Sequence, residues 1–277
     1  MAKEYSVGKV CAFLGVSRSD YYYKRVTLES EEKEIEKAVI NCFEYHKGNY
    51  GRIRIYHELK DKCAISQHKI SRILKENGLV AKSGRPRKKN MAKPTKQQYI
   101  EENLIKNKFE ITLPNYLWCS DISEFICYRA KVYVCAIIDV ATRRVVGWSI
   151  SKSQRQQLVQ DAFKMAVGRN PNRPEGAVYH SDRGCQFTAK KTKELVEEAG
   201  FRKSMSRPGT PSDNQPIESF WKTLKCEMSD IRHLTFEEAS RTIASYIELY
   251  YNSDRLHSGI GYMIPNEFFT LLCVQKT

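Results

Sequence analysis

Asp182 and Glu218 stand with 35 residues between them in a stretch, His180 to Glu227, that reads HSDRGCQF, a helical insert and then SRPGTPSDNQPIESFWKTLKCE. A third acid, Asp121, lies 61 positions before Asp182 in the strand-like run LWCSDISEF. Two aspartates at strand ends and a glutamate on a later helix form an acidic constellation able to hold two divalent cations, Mg²⁺ or Mn²⁺. One cation of such a pair activates an attacking oxygen and the other stabilises a leaving oxygen, which is phosphoryl-transfer chemistry. Everything depends on elements that bring the three carboxylates together.

The helix expected to carry Glu218 has two faces. Ile217, Trp221, Leu224 and Met228 recur at helical spacing as a packing stripe, while Glu218, Lys222 and Lys225 share the adjacent face. Alone, that second face is a surface Glu–Lys pair contributing a few tenths of a kcal/mol. Beside two aspartates it becomes a metal ligand next to two cations that can grip phosphates. Among other acids, Asp139 reads as a turn-former, Glu124 as solvent-facing or groove-lining, and Asp213 as the N-cap of the Glu218 helix. His180 reads equally as a group positioning DNA or water and as a packed, hydrogen-bonded strand residue. His257 calls for the same two readings. No Ser-His-Asp or Cys-His order is worth defending, and no GxxxxGK[ST] loop implies ATP use.

Strands and helices that could position these residues follow in order from about residue 104. LWCSDISEFIC, KVYVCAIIDV and RRVVGWSIS are three strands of an antiparallel meander, followed by the helix SQRQQLVQDAFKMAVG. GAVYHSD is a short buried strand, TAKKTKELVEEAG a helix, FRKSMS a fifth strand, and the Glu218 helix runs from about Asp213 to Met228. The order βββαβαβα predicts an α/β fold of RNase H type, a mixed five-stranded sheet flanked by helices, with strands 1 and 4 side by side. An amphipathic helical extension completes a domain over 104–277.

Residues 1–81 read as a small all-α region. A helix, a Gly15 turn and a second helix capped by Ser17 form a helix-turn-helix pattern that could equally be a packing hairpin; Ser30 caps a further long helix. Ser66 caps QHKISRILKENG, whose Lys69, Arg72 and Lys75 make a basic stripe suited to a DNA backbone. Residues 82–103 are a linker. Its 82–98 portion carries seven Lys or Arg and no acid, with Arg85, Arg87, Lys88 and Lys89 clustered as expected DNA contacts.

Charge and composition agree. Forty-six Lys and Arg against 32 Asp and Glu leave +14, favouring a polyanionic partner, nucleic acid ahead of a membrane. Nine scattered cysteines, none in a CxxC pair, argue for reduced thiols in a cytosol and offer no zinc knuckle. MAKEYSVGKV lacks an apolar leader region, so secretion and membrane spanning are not expected.

The motifs LGVSRSDYYYKR, HKGNYGRIRIYHELK, PNYLWCSDIS, YVCAIIDVATRRVVGWSIS, HSDRGCQF, SDNQPIESFWKTLKCE and YYNSDRLHSGIGYMIP, spanning nearly the whole length, carry a resemblance. The chain resembles the OrfB transposases of bacterial insertion sequences of the insertion-sequence-three type, whose catalytic core is similar to retroviral integrases. That resemblance implies a D-D-E triad of Asp121, Asp182 and Glu218 with two Mg²⁺ or Mn²⁺ ions, and cleavage and strand transfer at element ends. It implies that Lys225 contacts the element's end; Lys222, on the same helix face, and Arg183, Arg255 and His257 are expected as further DNA contacts. It also implies a cytoplasmic, nucleoid-associated homo-oligomer on DNA and association or fusion with an upstream OrfA protein that carries a coiled coil; leucine-zipper heptads do not occur in this chain. Gln215-Pro216 replaces the small residue usual after Asp-Asn, and Cys185 sits where Ser or Thr is common.

Overall fold

The computed structural model describes residues 5–82, 101–105, 111–207 and 210–274. The cluster Arg85, Arg87, Lys88 and Lys89 lies outside the described residues. The chain divides into two compact units, Met1–Ser83 and Gly84–Thr277.

The first unit is helical. Helix α1 (Val7–Leu14) ends on Gly15, whose φ of 65° is the left-handed turn a glycine enters without steric cost. Helix α2 (Arg18–Tyr45) starts at Ser17, whose side chain accepts the Asp20 N–H at 2.9 Å. The cap expected at Ser30 is not made, because α2 runs through that position as one 28-residue helix. No Gly or Pro interrupts 18–45, so nothing stops the helix where polar residues alone suggested a new start. Helices α3 (Arg52–Leu59) and α4 (Gln67–Glu76) complete the unit, α4 beginning where Ser66 accepts the Lys69 N–H. Val39, Tyr50, Ile55, Ile70 and Ile73 are buried here. A cluster unseen in the cysteine spacing lies here too: buried Cys42 and His46 and half-buried Glu58 bring potential ligand atoms within 4.8 Å of one another. His46 Nε2 and Glu58 Oε2 are 3.2 Å apart, a hydrogen bond that already accounts for the pair.

The second unit is built on a five-stranded sheet. Strands β1 (Leu117–Cys127), β2 (Ala130–Asp139) and β3 (Val145–Ser151) form the antiparallel meander; β4 (Val178–Ser181) and β5 (Arg202–Met205) add in parallel, giving the order β3-β2-β1-β4-β5. This is the α/β arrangement the element order predicts. Helices α5 (Gln156–Arg169), α6 (Cys185–Thr188) and α7 (Lys190–Glu198) contribute to one side, where Trp118, Phe163, Phe187 and Val196 share a core. Helix α5 packs so close to β3 that a Cβ on Gly147 would lie 2.7 Å from Ala166 N and Cβ. Helices α8 (Gln215–Glu227) and α9 (Phe236–Ser245) supply Ile217, Phe220, Trp221, Leu224 and Ile243 to the other core. A π-helical segment (Tyr246–Tyr251) and helix α10 (Pro265–Val274) follow.

Ahead of β1, Leu104 N–H donates to Ser204 Oγ on β5 at 3.0 Å and Asn103 Nδ2 donates to Asp213 Oδ2 at 2.8 Å. Among the described residues no helix is long and apolar enough to cross a membrane.

Candidate active site

Parallel pairing of β1 with β4 sets Ser120 opposite Ser181. The next residue on each strand is an aspartate, so Asp121 and Asp182 leave adjacent strands side by side. Asp182 follows the last residue of β4, as expected. Asp121 is not at a strand end: it is the fifth of eleven residues in β1, which continues past the point where β4 stops. The short strand thus opens a notch against the middle of a long one.

Helix α8 closes that notch. Asn214, immediately before it, donates from Nδ2 to Ser120 O at 3.0 Å, fixing the helix start against the residue preceding Asp121. Trp221 Nε1 donates to Asp121 Oδ2, also at 3.0 Å. Glu218 lies in the first turn of α8 and is exposed, at the helix end where backbone amides favour a carboxylate. The packing stripe holds as read, with Ile217, Trp221 and Leu224 buried and Met228 against the same core.

Electrostatics ties the three acids together. Burial pushes the Asp121 carboxyl up to about 8, and the negative charges of Asp182 and Glu218 add to the rise; the Ile122 amide and Trp221 indole oppose it. Asp182 is also raised, by burial of its carboxyl base although the residue reaches solvent, against a 2.9 Å bond from Gly184 N–H. A Cβ on Gly184 would come within 3.1 Å of Asp182 Oδ1, so any larger residue there presses on this carboxylate.

Neighbouring residues have structural duties. Asp213 does not cap α8, whose N-cap is Asn214. It is buried and accepts from Arg207 N, Nε and Nη2 and from Asn103, and its pairing with Arg207 lowers its carboxyl to about 2. Asp139 is the expected turn-former, accepting from Asn115 N and from Thr142 N and Oγ1. His180 is buried between Ser204 and Ser206, bonded at 2.9 and 3.0 Å, and burial lowers it to about 4, leaving a neutral packed residue at neutral pH. Glu124 faces solvent beside Lys131.

Comparison with known proteins supplies the family. The integrase core domain family matches residues 112–211 and, through a second description of the same name, 199–265; an HTH-like domain matches 29–89. The transposase for insertion sequence element IS904 of Lactococcus lactis subsp. lactis (strain IL1403) is 35% identical over 249 residues, covering 89% of this chain and 98% of that protein. The transposase InsF for insertion sequence IS3A of Escherichia coli (strain K12) is 30% identical over 273 residues, covering 96% and 94%. The chain belongs to the IS3-type insertion-sequence transposases. A solved structure of the HTLV-2 integrase catalytic core domain in complex with magnesium is similar to 56% of this chain and 97% of its own, at 15% identity and a TM-score of 0.41.

The transposase's expected DNA contacts divide by their surroundings. Lys222 and Lys225 are exposed beside Glu218 on α8, and Lys225 Nζ stands 5.2 Å over the Phe125 ring. Arg183 adjoins Asp182, its Nε bonded to Ser206 O at 2.7 Å. Arg255 is not placed for DNA: it is buried and grips Glu227 with two 2.7 Å bonds, because a carboxylate buried at the end of α8 requires a cation. His257 instead starts the short helix Ser258–Ile260, accepting the Gly259 N–H. In the helical unit Lys69 faces Glu32 at 3.7 Å and Arg72 faces Glu76 at 3.9 Å, so acids share the basic stripe; Lys75 is exposed.

Sequence reading missed the indole of Trp221, taken as packing alone, and the bond from the Asn214 side-chain amide to Ser120 O. The available signal for Trp221 was an N–H donor one helical turn from an acidic ligand candidate.

Proposed function

We propose that this transposase cuts and joins DNA at the ends of an insertion sequence through Asp121, Asp182 and Glu218, with magnesium or manganese as cofactor. The observation that carries the reading is the placement of the three acids: Asp121 and Asp182 leave strands paired in parallel, α8 is tied to β1 beside them and carries Glu218, and the charges of Asp182 and Glu218 add to the rise that burial imposes on Asp121. All-oxygen donors of high negative charge suit hard divalent cations, and the site gains most from a ligand that discharges it. When bound, a pair of such cations would supply Lewis-acid stabilisation to attacking and leaving oxygens.

The protein's own residues hold and orient. Asp121 and Asp182 approach from the sheet and Glu218 from α8, so the ligands rest on packed elements. Lys222 and Lys225, on the Glu218 face, fit the phosphates of the bound strand. Water attacks a phosphodiester at the element's end and releases a 3′-OH; that 3′-OH attacks a second phosphodiester. Each step exchanges one P–O bond for another in line, with no covalent bond to the protein. DNA is the partner that the net charge of +14 suits.

Purified full-length protein incubated with labelled terminal inverted repeats, target DNA and Mg²⁺ tests this. Joined product is expected, lost in Asp182→Asn and Glu218→Gln while DNA binding persists. Cleavage without joining would make it a nuclease, absence of both a binder, and joined product from either variant would overturn the assignment.

A further inference from the structure

We infer that Trp221 is a positioning residue for metal binding: its indole N–H holds the Asp121 carboxylate in the orientation that meets a divalent cation. The inference rests on the three-carboxylate reading above and adds a fourth residue to it.

Trp221 lies one turn after Glu218 on α8, so a single helix brings one proposed ligand and the clamp on another. Its ring is buried and wedged, with the Phe220 centroid at 4.9 Å and that of Phe125 at 6.3 Å. A buried indole N–H requires an acceptor, and here the acceptor is Asp121 Oδ2 at 3.0 Å. Once Asp121 is ionised, as it is when it takes a cation, the bond becomes charge-assisted and holds geometry firmly.

The choice of donor matters as much as its position. An arginine would fix the same carboxylate but cancel its charge, as Arg255 does for Glu227. An indole is neutral: it restrains Asp121 and leaves the negative charge for a cation. It also makes the site cooperative in a mechanical sense. A displacement of α8 that moves Glu218 also pulls on Asp121, so the two ligands are set together.

The test uses the full chain and Trp221→Phe, which keeps an aromatic ring and removes the donor. Free Mn²⁺ measured by electron paramagnetic resonance during titration should show half-saturation at roughly tenfold higher Mn²⁺ in the variant, equivalent to the loss of about one such bond. Strand transfer should need correspondingly more metal, with the melting profile confirming the fold. Binding and metal dependence equal to the parent's would overturn the inference. Asp121→Asn separates the two levels: if it binds Mn²⁺ and joins DNA normally, the three-carboxylate reading itself fails. If it fails to do so and Trp221→Phe behaves as the parent, only the positioning role fails. Should Trp221→Phe not fold, ¹⁵N-indole spectra of the unmutated chain decide. Among Trp118, Trp148 and Trp221, one N–H resonance should shift on adding Mg²⁺ and stay fixed in Asp182→Asn. Saturable Mg²⁺ binding with all three resonances unmoved would contradict the role.

Discussion

The two ends of helix α8 solve the same electrostatic problem in opposite ways. At its C-terminal end the Glu227 carboxylate is buried and fully answered: Arg255 grips both oxygens and the Tyr246 hydroxyl donates to one of them. At its N-terminal end the buried Asp121 carboxyl receives neutral donors, the Trp221 indole and the Ile122 amide, and feels the like charges of Asp182 and Glu218. One site is compensated from within the protein and is finished on folding. The other is left uncompensated, which costs stability and creates a place for cations. That difference separates a structural acid from a functional one more sharply than burial does.

The largest expected effect comes from removing a ligand at the uncompensated end. Asp182→Asn or Glu218→Gln should reduce strand transfer below detection on labelled ends while filter binding to the same DNA changes little. At the compensated end the reverse holds. Arg255→Met leaves Glu227 buried without its cation and should cost about 3–5 kcal/mol in urea unfolding. Adding Glu227→Leu to it should recover much of that loss, since both charges are then gone.

A smaller effect sharpens the contrast through pH. Asp121 has a folded value of about 8 against an ordinary 3.8, so between roughly pH 4 and 8 the folded chain holds a proton that the unfolded chain has released. Its contribution to stability therefore falls as pH rises through that window. Asn at this position cannot ionise. Metal-free Asp121→Asn should melt above the parent at pH 8, by on the order of 2–4 °C for each kcal/mol relieved, and the gap should close towards pH 4. The comparison with the variant is essential because Asp139, raised by burial to about 6, and His180, lowered by burial to about 4, also titrate there in opposite directions. The smallest effect belongs to Lys225→Ala, which should weaken DNA binding evenly across sequences and lower the salt-dependence slope by about one.

The sheet, its strand order and the helix faces were legible because apolar periodicity and turn residues report them directly. Ile217, Trp221 and Leu224 packed as their spacing required. The three acids were legible as candidates because no core needs Asp121 or Glu218. What spacing could not reveal was compensation. Arg255 was expected to contact DNA and Glu227, 28 positions before it, carried no expected role; only the folded arrangement of α8 and the C-terminal segment pairs them. Asp213 looked like a helix cap for the same reason, its real partners Arg207 and Asn103 being set by a loop and by the chain's approach to β5. Ser30 failed differently: a good capping residue has no effect where the backbone on both sides is free to remain helical.

The central claim is that Asp121, Asp182 and Glu218 take an external cation, and calorimetric titration of Mn²⁺ into the full chain at pH 7 tests it most directly. Run in two buffers of different ionisation enthalpy, it should show saturable binding with release of protons, because Asp121 must give up its proton to take the metal. That release should vanish in Asp121→Asn. No saturable binding, or proton release unchanged in the variant, would contradict it.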